Sequence, residues 1–182
     1  MSFVRASCRS QRDESSGGSY GLKRIGGHAI LAVCSVDIFN GLLVRQATHV
    51  LNIRTARRGL VEITREIRDW VGAQDVTTGL LTVFCQHTSA SLLIQENAAR
   101  EVRTDLETYF EQLAPEEEGR YEHDDEGPDD MPAHLRTALT QVQLSIPIMD
   151  GALALGTWQG IYLFEHRRRP HERQVALHLL GE

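Results

Sequence analysis

Four of the eight histidines stand where a predicted strand ends or beside acidic residues. They are His87, His123, His134 and His166. Imidazole and carboxylate groups are the ligands that zinc and similar divalent ions prefer in proteins. The spacing of these histidines matches no compact metal motif such as HExxH. It therefore leaves two interpretations open for each histidine, a satisfied core residue or a member of a site.

The segment DDMPAH, residues 129–134, adds a carboxylate close to one of these histidines. If this segment is helical, Asp130 and His134 stand four positions apart and share one helix face. Met131 and Pro132 are poor choices for a freely solvated acidic loop. We therefore expect the segment to pack against the domain and to deliver both polar side chains to a site.

A second carboxylate stands at the end of an apolar strand. In IYLFEHR the alternation places Ile161, Leu163 and Glu165 on one face. A carboxylate in this position is costly to bury without a partner. Three partners are open from the sequence: Arg167, an arginine near Arg173, or a histidine of the site.

Nucleophilic side-chain catalysis is the least supported chemistry. Ser89 and Ser91 lack the G-x-S-x-G elbow of the hydrolases that use a serine nucleophile. Cys85 ends an apolar run, which is typical of a buried and inert thiol. Lys23 is the only lysine in the sequence, so a Schiff-base mechanism is close to excluded for the body of the protein.

Composition and charge exclude several classes of partner. The formal net charge of −6 over 182 residues argues against a nucleic-acid partner. The basic stretch RRRPHER then favours anion capture or pairing between subunits. No apolar run reaches the ~18 residues of a membrane span, and three scattered cysteines favour a reducing compartment. We expect a cytoplasmic protein that binds neither nucleic acid nor a membrane.

Apolar periodicity predicts the elements that must position these side chains. Three helices are predicted. The first lies in residues 59–73 and ends at Gly72. The second has Asn97 as its N-cap and stops at Pro115, and the third runs from about Pro132 to Thr140. Predicted strands cover 48–56, 80–85, 92–94, two or three pieces of 143–169 with a DG hairpin turn at 150–151, and 173–182. The acidic stretch 116–134 is predicted to be a loop, with Glu116–Glu118 as solvated surface. This order predicts an α+β fold: a single compact domain with a largely antiparallel β-sheet core and a few helices.

Residues 1–45 are predicted to form a disordered or irregular N-terminal extension, and residues 46–182 the domain. The extension contains the flexible string SSGGSYG and several serines and arginines. Asp13 and Glu14 break the acid-poor pattern of a transit peptide. A dispensable extension from an upstream start codon is therefore favoured over a targeting signal.

Four stretches resemble the YjbQ family, also called the secondary thiamine-phosphate synthase family, over roughly residues 46–182. They are HTSASLLIQEN, DDMPAH, SIPIMDGALALGTWQGIYLFEHR and RQVALHL. The resemblance implies a homotrimer with a site near the subunit boundary, where histidines gather around a metal or an anion. Matched by position, it implies His87, His123 and His134 as metal ligands. The residues that it implies as a polar shell are Asn97, Asp130, Gln159, Glu165 and Arg167.

The resemblance further implies a transferase with weak thiamine-phosphate synthase activity, which joins a pyrimidine diphosphate to a thiazole phosphate and releases pyrophosphate. A divalent metal ion would neutralise the leaving pyrophosphate, while Arg167 or Arg173 holds phosphate oxygens. Imidazole ligands favour a zinc-like ion over magnesium. The further substrate contacts expected are Asn97, Gln159 and Ser89.

Two alternatives remain open from the sequence. The first is a metal-dependent hydrolase of a small phosphorylated metabolite, with Glu165 or Asp130 as general base. The second is a trimeric protein that binds a small anion without turnover.

Overall fold

Two antiparallel sheets and three helices make up the part of the chain that the computed structural model describes, residues 36–38 and 42–182. The strands are β1 (Val36–Ile38), β2 (Leu42–Thr55), β3 (Gly59–Glu62), β4 (Gly79–Cys85), β5 (Ala90–Glu96), β6 (Gln143–Met149), β7 (Ala152–Leu153), β8 (Gln159–Glu165) and β9 (His171–Gly181). The helices are α1 (Thr64–Gly72), α2 (Arg100–Leu113) and α3 (Asp130–Leu139).

The strands are arranged in the order β1-β2-β9-β4-β6-β7 in one sheet and β3-β8-β5 in the other. Every pair in both sheets is antiparallel. The α+β fold with a largely antiparallel core is therefore confirmed. The predicted irregular extension lies mostly outside the described residues, and its boundary with the domain, at residues 45 and 46, falls inside β2.

One hydrophobic core joins the two sheets and helix α1. Val175, Leu177 and Leu179 of β9 are buried together on one face, as their alternation predicted. They belong to one cluster with Ile67 of α1 and Leu163 of β8. The core therefore fixes β8 and β9, the two strands whose ends carry the polar residues of interest.

The hairpin between β6 and β7 confirms the predicted DG turn. Asp150 and Gly151 have φ values of 51° and 76°, and Met149 pairs with Ala152. Positive φ at both central residues is the conformation of a type I′ turn, which suits the twist of a two-residue hairpin.

Two predicted helix starts are wrong. Residues 59–62 form β3 and pair with β8, and Gly59 has a φ of 137°, so α1 begins only at Thr64. The N-cap of α2 is Ala99, without a side-chain capping bond. Asn97 instead donates its backbone N–H to the carbonyl oxygen of Trp158 at 3.0 Å. In both cases pairing with a distant segment overrides the local helical pattern.

Glu116 corrects the interpretation of the run Glu116–Glu118 as solvated surface. Its side chain is 7% exposed, and its carboxylate lies 2.5 Å from Nη1 of Arg58 and 2.6 Å from Nη2 of Arg168. Arg136 lies 3.8 Å away. Guanidinium partners compensate the burial of this charge, while the other two glutamates are exposed as predicted.

Within the described ranges, no helix is long and apolar enough to cross a membrane.

Candidate metal centre

Helix α3 and the segment before it bring two histidines to one carboxylate oxygen. Asp130 and His134 stand one turn apart on α3, and Nε2 of His134 lies 3.3 Å from Oδ2 of Asp130. Nε2 of His123 lies 2.8 Å from the same oxygen. The three potential ligand atoms all lie within 4.8 Å of one another. The predicted i, i+4 pair therefore forms, and a histidine of the acidic stretch completes the set.

The hydrogen bonds of His134 fix which ring nitrogen carries the proton. Its Nδ1 lies 2.9 Å from the backbone oxygen of Thr88, which accepts only. Nδ1–H therefore donates, which leaves Nε2 as the ring atom directed at Oδ2 of Asp130. A proton or a metal ion between Nε2 and this carboxylate oxygen would each make the contact favourable. A ligating histidine held by a backbone carbonyl is a common feature of metal sites.

Arg167 orients the Asp130 carboxylate, whose residue is 2% exposed. The guanidinium of Arg167 donates to Oδ1 of Asp130, to Oδ2 of Asp129 at 3.3 Å and to the Glu126 carbonyl at 2.9 Å. Burial raises the pKa of Asp129, but hydrogen bonds from Arg168 N–H and from Arg167 outweigh it and lower the pKa overall. Arg167 thus contacts carboxylates rather than standing free for a phosphate, and it leaves Oδ2 of Asp130 for the histidines.

Glu165 pairs with Arg173, at the second of the three partner positions that the sequence left open. Arg173 binds it through Nε at 2.7 Å and Nη2 at 2.6 Å, and Thr55 Oγ1 donates at 2.8 Å. The backbone N–H of Arg167 adds a bond of 2.9 Å. Burial raises the pKa of Glu165, but these donors, Arg173 first, outweigh it and lower the pKa. Glu165 is fully buried with both oxygens bonded, an arrangement that favours a structural role over that of a general base.

This buried ion pair also reaches the loop that holds His134. Arg173 Nη2 donates to Oγ of Ser89 at 3.2 Å, and the preceding residue, Thr88, carries the carbonyl that binds His134. Ser89 and Arg173 therefore stabilise the loop that holds His134 and do not stand free to bind a substrate.

Among the described residues, the cluster of potential metal ligands consists of His123, Asp130 and His134 and does not include His87. Its Nε2 accepts the backbone N–H of Gln174 at 2.7 Å. Burial lowers the pKa of His87, and the charge of Arg173 lowers it further, so the ring is neutral near pH 7. His87 and His134 line the same pocket.

Asn97 and Gln159 are not brought to this centre within the chain. Gln159 pairs with Glu96 at one end of β8, whereas Glu165 pairs with Ala90 at the other end. Six residue steps along a strand span about 20 Å. The side chain of Gln159 accepts the backbone N–H of Gly156 at 2.8 Å, so it stabilises its own turn.

Comparison with known proteins agrees with this fold. Residues 49–182 match the family model described as "UPF0047 protein YjbQ-like". The chain belongs to the YjbQ family. A UPF0047 protein of Synechocystis is 53% identical over 138 residues, 76% of this chain and 94% of the relative. YjbQ of Salmonella typhimurium is 46% identical over 69% of this chain and 91% of its own length.

Solved structures of related sequence show the same architecture. A YjbQ/UPF0047 protein of Clostridium acetobutylicum is 33% identical, with a TM-score of 0.66 over 71% of this chain and 97% of that chain. A hypothetical protein of Aeropyrum pernix is 29% identical, with a TM-score of 0.67 over 74% of this chain and 98% of that chain.

His166 of this YjbQ-family chain is a core histidine. It is fully buried, and its Nε2 lies 2.8 Å from Oγ of Ser91. Burial, followed by the charges of Arg136, Arg173 and Arg58, lowers its pKa to about 3. The core interpretation that the sequence left open therefore applies to His166.

The low pKa of His166 predicts a loss of stability on mild acidification. In the unfolded chain the His166 imidazole takes up a proton near pH 6.5, whereas in the folded chain it does so only near pH 3. Stability therefore falls as pH drops below 6.5, by up to about 1.4 kcal/mol per pH unit. Between pH 7 and 5, wild type should lose about 2 kcal/mol more than His166→Gln in urea unfolding. The exposed His178→Gln is the control, and parallel curves for wild type and His166→Gln would contradict the prediction.

Sequence reasoning placed Asp130 on one helix face with His134 and in the polar shell of the site, with general base as one alternative. The structure places Asp130 beside His123 and His134 as a third potential ligand, a role that the resemblance implied for His87. No sequence signal could have found the Thr88 carbonyl, because every residue type supplies a backbone oxygen.

Proposed function

We propose that this YjbQ-family protein is a metal-dependent enzyme with a zinc-like divalent ion at His123, Asp130 and His134. The observation that carries the proposal is the convergence of two imidazole nitrogens on Oδ2 of Asp130, Nε2 of His134 at 3.3 Å and Nε2 of His123 at 2.8 Å. Two imidazoles and a carboxylate form a ligand set of catalytic zinc sites, which keep a further position open. A divalent ion bound there supplies Lewis acidity, which activates water or polarises a substrate oxygen.

The chain's own residues hold this centre in place. Thr88 holds the His134 ring through Nδ1–H, and Arg167 holds Oδ1 of Asp130. The side chain of His123 is 46% exposed, whereas that of Asp130 is 2% exposed. The His123 side of the centre is therefore the side from which a substrate approaches.

Hydrolysis of a small phosphorylated metabolite is the reaction that we favour. The synthase expectation needs arginines that hold phosphate oxygens, but Arg167 and Arg173 are engaged with Asp130 and Glu165. Hydrolysis needs one activated water and one ester at the centre, and a metal site with an open position is suited to both. Thiamine-phosphate synthase activity stays the second candidate, carried by the family resemblance.

Metal-stripped protein reloaded with zinc, manganese or magnesium tests this proposal. We expect zinc-dependent release of nitrophenol from p-nitrophenyl phosphate by wild type, with a loss of at least about 100-fold in Asp130→Asn. Asp125→Asn changes an exposed acid of the same segment and should leave the rate unchanged. Equal turnover in the stripped and reloaded protein would contradict the proposal. Thiamine phosphate formed from the two precursors, without ester hydrolysis, would select the synthase instead.

The homotrimer implied by the resemblance is also a proposal. Val50, Leu80 and Leu180 are each more than 40% exposed on the outward face of the six-stranded sheet, which offers an apolar surface to a second subunit. Sedimentation equilibrium tests it: three times the 20.4 kDa chain mass supports a trimer, and a monomer mass contradicts it.

A further inference from the structure

An open pocket of about 730 Å³ lies beside the candidate centre. It is formed by the end of β4, the following loop and the second half of α3, and His134 belongs to both the pocket and the centre. This volume falls within the range of small-molecule sites. A substrate that reacts at the centre therefore has room for the rest of its structure in this pocket.

The pocket walls are held in place by hydrogen bonds to backbone carbonyl oxygens. The N–H of Cys85 donates to the carbonyl of Val142 at 2.8 Å, which joins β4 to the segment after α3. On the other side, His134 Nδ1–H donates to the carbonyl of Thr88 at 2.9 Å. A pocket that is already formed loses little conformational entropy when a ligand binds.

Apart from His134, which is shared with the candidate metal centre, the part of the pocket lining that the structure describes has no charged side chain. Among the described residues that line it, none is Asp, Glu, Lys or Arg. Phe84, Ala138 and Val142 contribute apolar surface, and Phe84 is 42% exposed. A phosphate or carboxylate placed against these side chains, away from His134, would lose hydration without a compensating charge, which is strongly unfavourable. Apolar ligand surface gains from covering these side chains.

His87 supplies the pocket with one hydrogen-bond donor. Its Nε2 accepts the N–H of Gln174, so the proton of the neutral ring is on Nδ1. Nδ1–H has no hydrogen-bond partner among the described residues, and His87 lines the pocket. A ligand that pairs with this donor must carry an acceptor, such as a carbonyl oxygen or a ring nitrogen.

We infer that this pocket binds an uncharged, largely apolar part of the substrate, which presents a hydrogen-bond acceptor to His87. The inference deepens the proposed function and rests on it for the position of the reacting group. Any anionic group of the substrate then lies at His123, Asp130 and His134, at the edge of the pocket that His134 shares with the centre.

Matched ring compounds test this inference by NMR titration of the methyl groups of Ala138 and Val142. Benzamide, a neutral ring with a carbonyl acceptor, should bind with a Kd of about 1 mM. In metal-free protein, where no metal ion holds its phosphate, phenyl phosphate should bind more weakly at these methyl groups. Ala138→Glu adds a carboxylate to the pocket and should weaken benzamide binding, followed at the Val142 methyl groups, by at least about 10-fold. His87→Ala should weaken it by about 2- to 10-fold.

Leu139→Glu is the matched control, because Leu139 is exposed on the same helix and does not line the pocket. It should bind benzamide like wild type. Tighter binding of phenyl phosphate than of benzamide at the same methyl groups of metal-free protein would overturn the inference. Absence of benzamide binding, or equal weakening by both glutamate variants, would also overturn it.

The titration is run on metal-loaded protein and again after chelation, which separates this inference from the proposed function. Benzamide binding should persist without metal, because the pocket walls are protein side chains. If the protein binds benzamide but no metal, the proposed metal-dependent function is contradicted and the pocket inference is retained. Metal-dependent turnover without benzamide binding would remove the pocket inference alone.

Discussion

Asp130→Asn should weaken zinc binding by more than about 100-fold, measured by competition with a chelator of known affinity. The substitution removes the negative charge that Oδ2 presents to both histidines. His134→Ala should have an effect of similar size, because it removes an imidazole held by the Thr88 carbonyl. Asp125→Asn is the control for a change of charge in the same segment.

His87→Ala separates this centre from the three-histidine site that the family resemblance implies. Nε2 of His87 is occupied by the N–H of Gln174, so zinc affinity should change by less than about 3-fold. Thermal unfolding of each metal-free variant shows whether the fold is retained. Full zinc affinity in Asp130→Asn, together with its loss in His87→Ala, would contradict the assignment.

Arg173→Met should lower the free energy of unfolding by about 3–5 kcal/mol. The change leaves the carboxylate of Glu165 without its main partner at a fully buried position. Urea unfolding measures the loss. The exposed pair Arg54–Glu172, 3.7 Å apart on neighbouring strands, supplies the control Arg54→Met, which should cost less than about 1 kcal/mol.

Two further measurements show whether charge burial causes this loss. In Arg173→Met the pKa of Glu165 should rise above its unfolded value, so the loss should shrink as pH falls and the carboxyl takes up a proton. The double variant Arg173→Met with Glu165→Leu should recover most of the stability, because no buried charge remains unpaired. A loss in Arg173→Met equal to that in Arg54→Met would contradict the assigned role of this ion pair.

Local sequence patterns correctly predicted the features that are determined within a single helix, strand or turn. Alternation in β9 identified the buried face of Val175, Leu177 and Leu179, and the DG turn identified the hairpin at 150–151. The four-residue spacing of Asp130 and His134 placed both on one helix face. In each case neighbouring residues determine the geometry, since the period of a helix or strand fixes which side chains share a face.

Contacts between distant segments were not predictable in the same way. Residues 59–62 fit a helical pattern but pair with β8, and Glu116 lies in an acidic run but is enclosed by arginines from other elements. Among the three partners open for Glu165, burial and bidentate geometry select Arg173. The choice between His87 and Asp130 as a neighbour of the two other histidines likewise depends on tertiary packing.

Anomalous diffraction from crystals of the zinc-loaded protein tests the central claim most directly. We predict one zinc ion bound by the two Nε2 atoms of His123 and His134 at about 2.0–2.1 Å and by a carboxylate oxygen of Asp130 at about 2.0–2.2 Å. His134 Nδ1 should still donate to the Thr88 carbonyl. Zinc bound by His87 in place of Asp130, or no anomalous peak at this cluster, would contradict the account.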